Sequence, residues 1–256
     1  MTSIEYKSIT KKFEGAEKPA VDSVSAVIEE GEFITILGSS GCGKTTLLKM
    51  TNRLYEPSSG TVEIFGRDIM NEDPVMLRRK MGYVIQQVGL FPHMTVEENI
   101  AVPAELNDWD EERTDRRIDE LLELVGLDPA VFRKRYPSQL SGGQQQRIGL
   151  ARALVADPDI MLLDEPFGAI DAITRLNLQN EILKIHGGMK KTFLFVTHDI
   201  NEAFKLGNRV MIMNEGRLLQ FDTPENIVRK PADEFVRTLV DSAREQESFW
   251  ESVNYD

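Results

Sequence analysis

A glycine-rich loop at residues 38–45 carries the strongest chemical signal in the sequence, because it satisfies the P-loop pattern G-x-x-x-x-G-K-[ST]. Glycines at these positions let backbone N–H groups turn inward toward phosphate oxygens. Lys44 then reaches the β- and γ-phosphates and Thr45 offers its hydroxyl to Mg²⁺, while the helix that starts at Lys44 adds its N-terminal dipole. The residues predicted to contact a nucleotide here are Gly38, Ser39, Ser40, Gly41, Cys42, Gly43, Lys44, Thr45 and Thr46.

A second pattern places two carboxylates at the end of an apolar run. Residues 160–163 read Ile-Met-Leu-Leu, which is typical of a buried strand in a parallel sheet. Asp164 then lies where it can hold Mg²⁺ through water, and Glu165 where it can polarise an attacking water. On its own this pattern is usually a strand that meets a loop. The functional interpretation depends on the P-loop that precedes it.

Residues 140–144, Leu-Ser-Gly-Gly-Gln, form a second anion-binding pattern at a predicted helix start. Gly142 and Gly143 expose backbone donors and Ser141 adds a hydroxyl, so the chemistry resembles that of the first loop. One chain rarely needs two γ-phosphate sites for one nucleotide. We therefore expect a symmetric pair in which each copy caps the ATP of the other. The alternative is a helix cap with flexible glycines.

The elements that position these motifs alternate between strands and helices. A helix is predicted from Lys44 to about Leu54, and another where Ile118, Leu121 and Leu122 fall at helical spacing. A turn at residues 214–217 predicts a hairpin. The predicted strands cover residues 33–37, 61–64, 160–163, 193–196, 210–213 and 218–221. Together these elements predict an α/β core with a helical insertion at about residues 90–155.

Composition narrows the function classes. With 42 acidic against 30 basic residues and a net charge of −12, the chain is not a typical nucleic-acid binder. Its one cysteine, Cys42, excludes an internal disulfide, and a small tolerated side chain is the favoured interpretation over a redox role. The first 20 residues are too polar for a signal peptide, and no apolar run approaches the ~18–20 residues that cross a bilayer. Any membrane role therefore requires a partner.

Together the motifs resemble those of the ABC-transporter ATPase family, over essentially all of residues 3–235. Residues 38–45 are similar to its Walker A, residues 160–165 to its Walker B and residues 140–144 to its LSGGQ signature. The resemblance implies the α/β fold of a P-loop NTPase of ABC type, with a mostly parallel sheet core, an antiparallel β subdomain and a helical subdomain. It also implies one ATPase domain over residues 1–240 and a C-terminal tail at residues 241–256.

The resemblance also assigns roles outside the three motifs. Gln86 matches the glutamine that senses Mg²⁺ and the membrane partner, and His198 matches the switch histidine that contacts the γ-phosphate. Residues 169–171, Ala-Ile-Asp, match the D-loop that crosses the dimer interface. Phe13 matches the aromatic residue that stacks on adenine, with an ordinary surface or core phenylalanine as the alternative.

The predicted site has three parts. The catalytic residues are Lys44, Gln86, Glu165 and His198. The metal ligands are Thr45, Gln86 and Asp164. Nucleotide contacts besides the loop come from Phe13, Gln86, Asp164 and His198, and in trans from Ser141, Gly142, Gly143, Gln144 and Asp171.

The resemblance further implies a homodimer that closes around two Mg-ATP and opens after hydrolysis. This motion passes to integral-membrane permease subunits through a groove at residues 86–91, with an extracytoplasmic solute-binding protein involved indirectly and no nucleic acid. The subunit is then expected at the cytoplasmic face of the cell membrane, held by the permease.

Residues 49–54, 56–60 and 78–87 resemble the branch that imports quaternary amines such as glycine betaine, choline or carnitine. The alternatives are an importer of another small solute such as an amino acid, a soluble ABC-type ATPase of DNA repair or translation, and a regulatory module without turnover. Glu165 and His198 argue against the last. Many members of the branch carry a regulatory domain after the ATPase, for which the chain beyond Phe235 is too short. His186, ahead of two glycines, is interpreted as a helix C-terminal cap.

Overall fold

Ten strands and ten α-helices are present in the described part of this computed structural model, residues 1–86, 89–168, 171–188 and 191–252, with backbone alone from residue 246. The strands are β1 Thr2–Lys11, β2 Val21–Glu29, β3 Phe33–Gly38, β4 Ser59–Ile64, β5 Arg67–Asp68, β6 Met81–Val84, β7 Ile160–Asp164, β8 Thr192–Thr197, β9 Arg209–Asn214 and β10 Arg217–Asp222. The helices are α1 Lys44–Thr51, α2 Pro74–Arg79, α3 Val96–Glu105, α4 Glu111–Leu124, α5 Pro129–Phe132, α6 Gly142–Leu154, α7 Ala172–Gly188, α8 Ile200–Leu206, α9 Pro224–Arg229 and α10 Glu234–Ser252. The predicted α/β class is confirmed.

The larger sheet has six strands in the order β10-β9-β3-β8-β7-β6, and each neighbouring pair except β9 with β10 is parallel. Strands β3, β7 and β8 are buried along their whole length, which is why they read as continuous apolar runs. In such a sheet the carboxyl ends of parallel strands meet at one edge. The segments that follow β3, β8, β7 and β6 therefore lie side by side.

The smaller sheet is antiparallel, with the order β2-β1-β4-β5, as the resemblance implied. Strand β2 largely alternates buried and exposed residues, which fits a sheet with one face on the core. Its neighbour β1 carries Tyr6, a fully buried side chain whose hydroxyl lies 2.6 Å from the Thr51 hydroxyl at the end of α1. This hydrogen bond joins the smaller sheet to the helix that follows the P-loop.

Two apolar clusters cover the two faces of the larger sheet. Successive strand residues point to opposite faces. Accordingly Leu162 packs with α1 and the smaller sheet, whereas its neighbour Leu163 packs with the helical segment α3–α6. A third cluster joins β9 to α8 and α10. The sheet is thus covered on both faces, and its carboxyl edge remains for polar side chains.

Helices α3–α6 fall within the insertion predicted for residues 90–155. Arg133, at the end of α5, joins α3 and α4, because its guanidinium donates to Glu97 at 2.8 Å, Asp115 at 2.5 Å and Asp119 at 2.9 Å. These carboxylates raise the pKa of Arg133 further above its usual value, against the opposing effect of burial. The segment carries the predicted signature at the start of α6.

Two predicted boundaries differ from the structure. Helix α1 ends at Thr51, about one turn before Leu54, because Arg53 adopts a left-handed backbone with φ of 54°. Helix α10 runs across residue 240, so the boundary predicted there falls inside one helix. The end of the predicted tail, residues 253–256, lies outside the described residues.

Candidate functional site

The loop between β3 and α1 is held by close backbone contacts that require glycine. A Cβ atom on Gly38 would lie 2.2 Å from the Met213 carbonyl oxygen, and one on Gly43 would lie 2.2 Å from the Ala20 oxygen. Gly43 also has a φ of 104°, which L side chains rarely adopt. Space therefore sets the residue type at both positions, and backbone conformation adds a second requirement at Gly43.

Lys44 lies inside this loop and is only 5% exposed. Its ammonium group donates to the Gly38 oxygen at 2.8 Å and the Ser39 oxygen at 2.9 Å. The first turn of α1 has neither a side-chain cap nor an acidic residue, so its backbone N–H groups remain available to a ligand in the loop. The positive end of the helix dipole lies at the same place. A buried cation and a helix N-terminus in one concave loop fit a polyphosphate.

Cys42 is buried in the same loop, and burial raises the pKa of its thiol. A neutral, buried thiol is a poor nucleophile. Its backbone oxygen accepts from Gly216 N–H at 3.0 Å, in the turn between β9 and β10. These contacts support the interpretation of Cys42 as a small packed side chain.

Thr45 and Asp164 meet at the carboxyl edge of the sheet. The Thr45 hydroxyl donates to the Asp164 carboxylate at 2.7 Å. In the described ranges there is no cluster of three or more His, Cys, Asp or Glu side chains that would form an all-protein metal cage. One carboxylate, one hydroxyl and a nearby amide are instead a hard-oxygen donor set that fits Mg²⁺ bound together with substrate phosphates.

Glu165 adopts a left-handed backbone with φ of 45°, which is uncommon for a residue with a side chain. Its N–H donates to the Val196 oxygen of β8 at 3.1 Å, so the strained residue is held by the neighbouring strand. Its carboxylate accepts from the Gln86 amide at 3.2 Å, and the same oxygen lies 3.5 Å from Nδ1 of His198. Three predicted catalytic side chains therefore converge on one oxygen.

His198 follows β8, which lies between β3 and β7 in the sheet. Its side chain is 64% exposed, whereas Thr197 before it is buried. An exposed imidazole beside a carboxylate at the end of a buried strand can contact a bound anion without leaving the edge of the sheet.

Phe13 lies on the surface after β1, 38% exposed. Its ring meets the Tyr55 ring edge-on at 5.3 Å between centroids, and the Lys11 ammonium lies 5.3 Å from the Phe13 centroid. Sequence reasoning missed Tyr55 and Lys11, because no motif links these positions to Phe13. An exposed aromatic surface of this kind fits a stacked base.

Ser141 caps α6, with its hydroxyl accepting from Gln144 N–H at 3.3 Å while the Gln144 side chain accepts from Ser141 N–H at 3.0 Å. Ser141 is exposed and Gln144 is partly buried, and a Cβ on Gly142 would meet open space. Among the described residues, no hydrogen bond or ion pair joins this cap to the P-loop of the same chain. The expectation that the signature acts in trans remains a prediction.

Asp171 is exposed, and its carboxylate accepts from Thr174 N–H at 3.0 Å at the start of α7. This backbone hydrogen bond lowers the pKa of Asp171. The other members of the predicted D-loop, Ala169 and Ile170, lie outside the described residues, as do Gln87 and Val88 of the predicted permease groove.

Asp164→Asn is expected to raise the melting temperature of the nucleotide-free chain at pH 7 by about 2–4 °C. Burial raises the pKa of Asp164 despite the Thr45 hydrogen bond. The unfolded chain therefore loses this proton at a lower pH than the folded chain, and stability falls as pH rises through that window. The amide cannot ionise, so it removes the cost of a buried charge at this position.

Asp222→Asn is the matched control for thermal unfolding. Hydrogen bonds from Asn226 and Thr223 lower the pKa of Asp222, so the same chemical change is expected to lower the melting temperature. Scanning calorimetry of both variants measures whether each melting temperature rises or falls. A lower melting temperature for Asp164→Asn would contradict burial as the dominant effect at that carboxyl.

Comparison with known proteins agrees with this geometry. The profile of the ABC transporter family matches residues 21–168, which is more than half of the chain. The ATP-binding cassette MJ0796, solved as a dimer in a post-hydrolysis state bound to ADP and Pi, superposes with a TM-score of 0.78 and 34% identity. That match covers 86% of this chain and 98% of MJ0796. The chain belongs to the ABC transporter family.

Curated relatives include ATP-binding proteins of osmoprotectant transport. The chain is 52% identical over 241 residues to the glycine betaine/carnitine/choline transport ATP-binding protein OpuCA of Bacillus subtilis, covering 94% of this chain and 63% of that protein. It is 48% identical over 234 residues to the glycine betaine uptake system ATP-binding protein YehX of Escherichia coli, covering 91% of this chain and 75% of that protein.

The osmoprotectant import ATP-binding protein OsmV of Salmonella typhimurium is 50% identical over 244 residues, covering 94% of this chain and 64% of that protein. The chain thus spans less than two thirds of the length of OpuCA and OsmV. Within the described ranges, no helix has the length and apolar character needed to span a bilayer.

Proposed function

We propose that this chain binds and hydrolyses ATP as the motor subunit of an ABC importer for quaternary-amine osmoprotectants. One observation carries the ATPase assignment: Gln86 and His198 converge on Glu165 directly beside the Thr45–Asp164 pair. The cargo assignment is supported by the relatives, whose names specify glycine betaine, carnitine and choline.

In the proposed reaction the P-loop amides and Lys44 hold the β- and γ-phosphates of ATP. Glu165 orients the attacking water and accepts its proton, since its carboxylate faces the edge where the loop binds phosphate. His198 and Gln86 stand on either side of that carboxylate and position it toward the γ-phosphate. The products are ADP and inorganic phosphate.

Thr45, Asp164 and Gln86 are the residues that would hold Mg²⁺, which when bound would supply positive charge against the phosphates. The signature of a second copy, Ser141 with Gly142 and Gly143, closes the other side of the nucleotide. An exposed capping serine and an open glycine at a helix N-terminus fit that contact.

Association with a permease is proposed at the groove beside the segment after β6. A cavity of about 380 Å³ between α2, β6 and the ends of α3 and α6 is lined mainly by apolar surface, including Val75, Tyr83, Pro103 and Leu106. Arg152 on its wall donates to the Gly89 oxygen at 3.0 Å and lies 5.7 Å from the centre of the Phe91 ring, so the cavity adjoins the segment that carries Phe91. The exposed side chains of Met76 and Phe91 extend the apolar surface on α2 and ahead of α3. Such a surface next to Phe91 fits a short apolar segment of a membrane subunit, which would hold the ATPase at the cytoplasmic face.

Phe91→Asp is expected to reduce solute uptake about tenfold or more while ATP affinity changes less than about twofold. Phe91 is 40% exposed, and its backbone is held by Asn99 through hydrogen bonds of 2.8 and 3.1 Å, so the fold tolerates the change. Leu90 packs against the core and Leu90→Asp would also disturb folding. Val131→Asp, at a 47% exposed site on α5, is the control.

The measurement is uptake of radiolabelled glycine betaine, choline and an amino acid by cells that express the chain with its permease and binding protein. Uptake of a quaternary amine that Phe91→Asp removes and Val131→Asp leaves intact supports the assignment. Uptake of the amino acid alone would contradict a quaternary-amine cargo and support an amino-acid cargo instead. Unchanged uptake by Phe91→Asp would remove the groove from the proposal.

A further inference from the structure

A buried carboxylate behind the candidate site has no role in the reaction as described above. Glu202, on α8, is only 6% exposed. One of its oxygens accepts from the Thr197 hydroxyl at 2.6 Å, and the other accepts from the Gln179 amide at 3.2 Å. Glu202 therefore joins the end of β8 to helix α7 through hydrogen bonds that water does not reach.

Thr197 continues this chain of contacts around His198. Its hydroxyl donates to Glu202 and accepts from Asp199 N–H at 3.0 Å, so it spans the backbone on both sides of the histidine. The Asp199 carboxylate in turn caps α8 through Asn201 N–H and Glu202 N–H. The Thr197 hydroxyl thus contacts the main chain after His198, and the Glu202 carboxylate holds that hydroxyl in place.

Helix α7 supplies the other half of the network. Gln179 accepts from Lys205 at 3.0 Å through its amide oxygen, which leaves its N–H to donate to Glu202. Arg175, one turn earlier, lies 4.0 Å from the Asp199 carboxylate. Asp171 starts the same helix about 12 Å before Gln179, at the 1.5 Å rise of an α-helix. The network thus joins the His198 loop to helix α7, and the predicted dimer-interface residue Asp171 lies at the start of that helix.

A small cavity of about 40 Å³ separates this network from the catalytic carboxylate, and Glu165, His198 and Glu202 all line it. Burial raises the pKa of Glu202 despite the hydrogen bonds from Thr197 and Gln179. A carboxylate with a raised pKa destabilises the folded chain in its ionised form, so stability alone does not account for its place here.

We propose that Glu202 is a positioning residue for His198, which couples the orientation of that histidine to helix α7 and thereby to the second copy of the chain. The proposal rests on the proposed ATPase function. Through Thr197, the Glu202 carboxylate holds the His198 loop in the place where the imidazole meets the γ-phosphate, and displacement of α7 at Asp171 moves the loop with it. ADP lacks the γ-phosphate, so this placement of His198 does not strengthen ADP binding.

The experiment compares Glu202→Gln and Thr197→Val with Thr197→Ser and Asn201→Ala in the full chain. Glutamine keeps the shape of Glu202 but replaces one acceptor by a donor, and valine removes the hydroxyl of Thr197. Serine keeps that hydroxyl, and Asn201 is an exposed neighbour on α8. Steady-state hydrolysis, calorimetric affinities for Mg-ATP and Mg-ADP, and melting temperature are measured for each variant.

Glu202→Gln and Thr197→Val are expected to lower kcat about 10- to 100-fold, with KM within about twofold. The melting temperature of Glu202→Gln should not fall, whereas Thr197→Val should lose some stability because it leaves the buried Glu202 oxygen and the Asp199 N–H without a partner. Both should also reduce the preference for ATP over ADP, and the double variant should be no worse than either alone. The two controls should retain wild-type values. A purely structural role predicts instead that kcat falls together with melting temperature.

Wild-type kcat and wild-type ATP preference in folded Glu202→Gln would overturn the positioning role and leave the proposed function intact. Loss of activity only in step with loss of melting temperature would overturn it equally. If the wild-type chain binds no Mg-ATP, the proposed function fails, and the positioning role falls with it.

Discussion

Glu165→Gln is expected to reduce ATP hydrolysis about 10²- to 10⁴-fold, the usual contribution of a general base, while Mg-ATP binding survives. Glutamine keeps the size of the side chain and can still hydrogen bond to Gln86, but it cannot accept a proton from water. Because the P-loop contacts of Lys44 and Thr45 do not involve Glu165, nucleotide affinity should remain. The variant should therefore accumulate as an ATP-bound dimer.

Size-exclusion chromatography with light scattering measures this state directly. Mg-ATP should convert the variant from monomer to dimer, and Mg-ADP should not. Glu63→Gln is the control for loss of a carboxylate, because Glu63 pairs with Lys7 in the smaller sheet, away from the P-loop. Hydrolysis by Glu165→Gln at the wild-type rate would remove Glu165 from the proposed mechanism.

Ser141→Arg in the Glu165→Gln background is expected to weaken the ATP-bound dimer by at least about a hundredfold. Ser141 is exposed and flanked by an open Gly142, so arginine fits the monomer but fills space that the nucleotide of the second copy would occupy. Overpacking costs about 1–3 kcal/mol at one site. The two-fold symmetric dimer contains two such sites, so the cost is incurred twice. ATP binding by the P-loop of the same chain should be unaffected.

The matched control is Thr223→Arg, because the Thr223 hydroxyl caps α9 and accepts from Asn226 N–H at 3.3 Å, as Ser141 does from Gln144. Both variants lose a helix cap worth about 1 kcal/mol, but only Ser141→Arg lies in the predicted interface. Sedimentation velocity with Mg-ATP separates the two outcomes. A dimer of undiminished affinity in Ser141→Arg would show that the signature is an ordinary cap and does not act in trans.

The sequence by itself determined which residues can do chemistry at the carboxyl edge. The P-loop pattern required glycines where the structure shows backbone oxygens 2.2 Å from a notional Cβ. The apolar run before Asp164 indicated a fully buried strand, and the structure confirms it. Local patterns suffice to identify these residues because each motif lies in one short segment. The oxygens that exclude a Cβ at Gly38 and Gly43, however, belong to Met213 and Ala20, so the tertiary structure supplies the reason for those glycines.

Only the tertiary structure decided how these residues meet. Gln86 and Glu165 are 79 positions apart, yet they form a hydrogen bond because β6 and β7 are neighbours in the sheet. His186, interpreted as a helix cap, instead places its ring nitrogen 2.9 Å from the Gly31 oxygen ahead of β3, and its ring against Phe33 and Phe193. Burial there lowers its pKa.

The Glu202 network shows the same limit more sharply. The motif around His198 identified the histidine, but nothing local marks Glu202 as buried or Gln179 as its partner. Their meeting depends on the packing of α7 and α8 against the sheet, which crossover connections set over long sequence separations. Residue types follow local rules of backbone and charge, whereas the distances between them follow from strand order and helix packing.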